Sequence, residues 1–163
     1  MRYFYDCEFH EDGETIDLIS IGIVAQDGRE YYAVATDADW QRIEKNDWLM
    51  ANVVPQLPDR GSPEWKPRNQ IRDEVSEFLK SPDANKWSGG AELWADFGAY
   101  DHVCLAQLFG TMMDLPRHVP MHTNEFQQRI RDRGVRGLPV QESGVHDALA
   151  DARHLKVCFG VVS

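Results

Sequence analysis

Asp6 and Glu8, two carboxylates two residues apart in YDCEF, are the side chains of this sequence best placed to do chemistry. They lie in RYFYDCEF, whose aromatic content and alternation predict a β-strand. Residues i and i+2 of a strand share a face, so the two acids stand side by side. Like charges at that spacing resist ionising together unless a cation lies between them. Oxygen-rich sites of this kind suit hard cations such as magnesium and manganese. The plainer reading is an edge strand turning alternate acids to water. Phe4 on the same face argues against it, because a half-apolar face is not a solvated one. HDALAD near the end adds His146 and Asp151, and DFGAYD in the middle adds Asp96 and Asp101. Carboxylates with a nearby histidine are the groups that metal-assisted phosphodiester hydrolysis requires.

The elements that must position these residues are legible in the same chain. RYFYDCEF, LISIGIVA and REYYAVAT read as strands, separated by the turn signals Asp12-Gly13 and Asp27-Gly28. An antiparallel meander is their simplest arrangement. The apolar density of LISIGIVA predicts burial on both faces. From Thr36 to Arg60 the pattern weakens, with Trp40, Ile43, Trp48 and Val53 assigned to one or two short helices. A clearer helix is expected to be capped by Ser62, with Pro63 in its first turn and Glu64 at the positive end of its dipole. Its apolar stripe is Ile71, Val75, Phe78 and Leu79, and it should stop near Ser81-Pro82. AELWA reads as a short buried strand and DFGAY as a loop. DHVCLAQLFG then reads as a helix with Val103, Leu105 and Leu108 inward. NEFQQRIRDRG should be helical up to Gly134. A last helix should span about Asp147 to Cys158, with Ala148, Leu149, Ala152 and Leu155 inward. Strands followed by alternating helices and strands predict an α/β fold, a mixed sheet of five or more strands flanked by helices.

Each candidate has a structural role competing with the chemical one. Asp101, at the start of a helix, would serve as an N-cap as readily as a cation ligand. Asp96 competes for the same place because it follows the strand directly. Five residues separate His146 from Asp151, which puts them on different helix faces, so His146 belongs at the entry to the last helix. Asp147 reads as a helix-start acid. Phe9 and Tyr100 could stack on a nucleic-acid base or pack in the core. Arg129, Arg131, Arg133 and Arg136 read as a solvated helix face sooner than a backbone clamp. His10, His102 and His154 belong to no motif.

The 163 residues, 42% hydrophobic, fit one domain over 1–163 with its own core. No apolar run is long enough to span a membrane. MRYFYDCEF carries acids where a signal peptide needs an apolar stretch, and Cys7, Cys104 and Cys158 lack paired spacing, so reduced thiols in the cytoplasm are expected. The net charge of −10 argues against a large basic surface for nucleic acid. Bound cations would offset part of that charge.

DCE, then YD within DFGAYDHVCL, then HDALAD resemble the DEDDh pattern of 3′-5′ exonucleases, the RNase T/DnaQ-like superfamily. LISIGIVA, REYYAVAT, WKPRNQIRDEVSEFL and LWADFGAYDHVCL extend the resemblance, over nearly the whole chain, to the polyadenylate-specific 3′-exoribonucleases of mycobacteria. The resemblance implies a ribonuclease H-like fold. It implies Asp6, Glu8, Asp101 and Asp151 as ligands of two magnesium or manganese ions, with Asp6 bridging, and His146 as general base. It also implies single-stranded RNA or an RNA 3′ overhang as substrate, and a homodimer. Cys7 departs from the threonine often found there, but lies on the opposite strand face from the acids. Asp96 is an extra acid beside the middle motif, and Asp101 is kept because it fits the (F/Y)D position. The preference for RNA rests on the resemblance alone, since nothing in the sequence reads a 2′-hydroxyl.

Other classes are distinguishable. An inactive exonuclease-fold binding module would not require four acids plus His146. A DNA-directed 3′-5′ exonuclease would share the site, and an endonuclease would leave internal fragments. A zinc site from His118, His122, Cys104 and Cys158 lacks a CxxC partner and has Pro120 inside HVPMH.

Overall fold

A computed structural model describes residues 1–80 and 90–163. Alternating side chains set its centre. β1 (Arg2–Glu11), β2 (Ile16–Ala25) and β3 (Glu30–Ala35) pair as the expected antiparallel meander. β4 (Trp65–Lys66) joins β3 in parallel, β5 (Glu92–Ala95) joins β1 in parallel, and β6 (Asn124–Glu125) extends β5. The described residues thus form a six-stranded mixed sheet in the order β4-β3-β2-β1-β5-β6.

β1 sorts its residues by parity. Tyr3, Tyr5 and Cys7 enter the larger apolar core, with Ile21 and Ile23 of β2. That core is closed by α3 (Arg68–Phe78) and α4 (Ala99–Phe109), through Ile71, Val75, Cys104 and Leu105. The other parity holds Phe4, Asp6 and Glu8. Phe4 packs edge-on against Phe159 of α6 (Ala148–Val162), in a smaller cluster with Trp94 and with Phe126 of α5 (Phe126–Arg133). α6 lies directly on β2. A Cβ on Gly22, the β2 residue opposite Asp6, would fall 2.4 Å from the Ala148 carbonyl.

Between β3 and β4 the weak pattern resolves into α1 (Trp40–Ile43) and α2 (Asp47–Asn52), capped by Asp39 and Asn46. The expected start of α3 is displaced. Ser62, Pro63 and Glu64 lead into β4 instead, and the helix begins at Arg68. Its cap comes from far away: the Asp37 carboxylate accepts the Arg68 N–H at 3.1 Å. α3 ends at Phe78, and the expected stop at Ser81-Pro82 lies outside the described residues. α4 begins two residues early, with Gly98 as N-cap, so Asp101 sits in the first turn. Val103 is exposed and Cys104 takes the inward position. α6 runs on to Val162, burying Phe159 and Val162, whereas Leu149 is only half-buried. Asn124 and Glu125 belong to β6, ahead of α5, which ends at the left-handed Gly134 as expected. No described helix is long and apolar enough to cross a membrane.

Candidate active site

β1, β3 and β5 run in the same direction, so their carboxyl ends share one edge of the sheet. Sites in open α/β sheets form outside the carboxyl ends of the strands. A cleft of about 620 Å³ opens beside β1 and is lined by its acids. It brings together Asp6, Glu8, Asp101, His146 and Asp151, with Phe9, Tyr100 and Asp96 also on its walls.

The tightest group is Glu8, His146 and Asp151, each offering a ligand atom within 4.8 Å of the others. Asp6 and Asp101 line the same cleft outside that group. Asp101 is anchored on β1, because its Oδ1 accepts the Cys7 N–H at 2.7 Å. Here Cys7 contributes through its backbone, while its thiol is buried in the core. Asp96 lies further out, and its carboxylate accepts from Gln127 Nε2 at 2.7 Å.

These acids are crowded and short of counter-charge. Among the described residues, no lysine or arginine ion pair includes Asp6, Glu8, Asp101 or Asp151. Burial, then the neighbouring charges of Asp151 and Asp101, push Glu8 up to about 8. Burial pushes Asp101 up to about 7, against the pull of the Cys7 N–H. Asp6 is raised by burial and by the charges of Asp101 and Glu8. Burial also raises Asp151, opposed by its two hydrogen bonds. Buried carboxylates that repel one another are donors that could hold a cation, and oxygen donors suit hard divalent ions.

His146 is held through its main chain. Its backbone adopts φ 67°, and its N–H donates to Asp151 Oδ2 at 3.0 Å. Its ring meets the edge of Trp48 with centroids 4.8 Å apart. Asp151 Oδ1 accepts from Gln141 Nε2 at 2.6 Å. Across the cleft, Phe9 and Tyr100 stack on each other at 5.8 Å. Tyr100 is half open to solvent, and Phe97, 72% exposed at φ 54°, stands beside it. Glu125 holds that turn, accepting the N–H groups of Phe97 and Gly98 at 3.0 Å.

Trp48, Gln141 and Glu125 carry no motif and the sequence does not single them out for the site, whereas Phe97 lies within DFGAYD; Trp48 reaches His146 only through a long-range contact. The alternative zinc set does not assemble among the described residues: His118 bonds the Ser76 carbonyl and Cys158 lies against His154. Arg129 folds over the Phe159 ring at 4.5 Å, whereas Arg131, Arg133 and Arg136 are exposed.

The sheet order and the acidic cleft at its edge agree with a ribonuclease H-like fold, and so with the exonuclease superfamily whose motifs the sequence resembles. Residues 1–162 match the family described as the 3′-5′ exoribonuclease Rv2179c-like domain, and the chain belongs to that family. It is similar to the 3′-5′ exoribonuclease Rv2179c of Mycobacterium tuberculosis strain H37Rv and to the 3′-5′ exoribonuclease MT2234.1 of strain CDC 1551. Each is 52% identical over 153 residues, covering 94% of this chain and 88% of the relative.

Proposed function

We propose that this member of a 3′-5′ exoribonuclease family is a cation-dependent enzyme, one domain over residues 1–163. It would release nucleoside monophosphates from single-stranded RNA or RNA 3′ overhangs. The observation that supports this best is the convergence of Asp6, Glu8, Asp101, Asp151 and His146 in one cleft, with no lysine or arginine among the described residues paired to the acids.

In this reading Asp6, Glu8, Asp101 and Asp151 would hold two magnesium or manganese ions, with Asp6 the acid they share. Such ions would neutralise charge developing on the attacking and leaving oxygens. His146 accepts a proton from the attacking water, a task that suits imidazole near neutral pH. The water oxygen bonds to the last phosphorus, and the bond from that phosphorus to the preceding 3′ oxygen breaks. That oxygen takes up a proton and becomes the new 3′ end, and a 5′-monophosphate leaves. Phe9 and Tyr100 stack the terminal base. A cytoplasmic setting and a homodimer complete the proposal.

A time course on 5′-labelled single-stranded RNA and matched DNA tests it, with manganese, magnesium or chelator and an Asp151→Ala control. A cation-dependent ladder shortening from the 3′ end, lost in the variant, is expected. RNA left intact under every condition by a folded protein would point to a binding module. Faster loss of DNA would point to a DNA exonuclease, and internal fragments to an endonuclease.

A further inference from the structure

Residues 135–147 form no helix or strand, yet their penultimate member is the proposed proton acceptor, His146. A general base must be held within a fraction of an ångström, and irregular chain does not do this by itself. The backbone of His146 is fixed by its N–H bond to Asp151 and by a left-handed conformation that non-glycine residues rarely adopt. That leaves the side chain. Among the described residues, no hydrogen bond reaches the imidazole, and its aromatic neighbour is Trp48, meeting it at 75°. Trp48 comes from the far side of the sheet order, on α2 between β3 and β4. α2 is itself anchored: Asn46 accepts the Leu49 N–H at 3.1 Å, and Leu49 is buried in the main core. The indole is 53% exposed, so the core does not require it.

We infer that Trp48 is a positioning residue for His146, its ring fixing the direction of the imidazole over the acids. This rests on His146 acting as the proton acceptor, and the two ideas fail separately.

The test measures kcat and KM on single-stranded RNA for Trp48→Ala, Trp48→Leu, Trp48→Phe, His146→Ala and the Trp48→Ala/His146→Ala pair. Manganese binding is followed by calorimetry. Trp48→Ala and Trp48→Leu should each lower kcat about tenfold, the upper end of what an edge-to-face contact supplies. KM, manganese affinity and melting temperature should hold, and Trp48→Phe should recover most of kcat. The pair should be no slower than His146→Ala alone, since Trp48 then has nothing to orient. Unchanged kcat in Trp48→Ala with His146→Ala inactive would overturn the role of Trp48 and leave that of His146. A rise in KM alone would mean that the indole grips RNA instead. Losses that multiply in the pair would mean that the two residues act independently. Wild-type turnover in His146→Ala would remove the proton acceptor and this inference with it.

Discussion

The two faces of β1 are built from the same backbone and do opposite things. Tyr3, Tyr5 and Cys7 face a mostly apolar core where the main constraint is shape, with the Tyr5 hydroxyl paired to Thr123. Phe4, Asp6 and Glu8 face α6, where packing stops after one aromatic residue and carboxylates begin. The first face gains from each group it buries. The second buries groups that repel, so by itself it opposes folding. One strand can carry both because its side chains alternate, and the stable face offsets the cost of the reactive one.

Substitutions on the two faces should therefore separate stability from turnover. Asp6→Asn should cost at least about a thousandfold in RNA hydrolysis. Its melting temperature should hold or rise at pH 8, because one repelling charge is gone, and a scanning calorimeter can check this. A loss of stability there would break the contrast. Ile21→Ala, in the apolar core opposite Cys7, should cost about 2–5 kcal/mol in denaturant unfolding. Turnover per folded molecule should be unchanged.

The acidic face should also make stability depend on pH. Glu8 and Asp101 titrate higher folded than unfolded, at about 8 and about 7. Groups shifted upward stabilise while protonated, so their contribution is complete below about pH 4. It is lost as pH rises through 7 and 8. Cation-free protein should melt progressively lower across that window, and manganese should raise the melting temperature more at pH 8 than at pH 5. Equal effects at both values would mean that protons and cations do not compete for these acids. The smallest effect is expected from Gln141→Leu, which removes a hydrogen bond to Asp151. Manganese affinity should weaken about 10- to 100-fold by calorimetry, with stability nearly intact.

The first three strands, the last helix and the acid motifs were legible because their signals are local. The aromatic residues and paired acids of β1 and the continuous apolar run of β2, ten residues each, leave little ambiguity. Two-residue strands such as β4 and β6 have no period to read. The start of α3 was misplaced because Ser62, Pro63 and Glu64 carry good helix-start chemistry, while the cap used comes from Asp37. The apolar nature of Val103 predicts an inward place, but the early start of α4 and the packing of Cys104 leave it outside. The cleft itself was legible as a list of acids, whereas its supports were not. Trp48 acquires meaning only from a ring distant in sequence, and Gln141 only from a carboxylate that the turn into α6 folds back onto it.

The contact at Gly22 makes main chain, not side chain, the spacer between β2 and α6. The gap between the β1 acids and Asp151 is then a fixed gauge, indifferent to how the surrounding core is repacked. Neighbouring apolar residues can be exchanged for others of similar volume without resetting it. At residue 22, however, a single methyl group would act as a shim, prising the acids of β1 away from Asp151 without altering any of the carboxylates themselves.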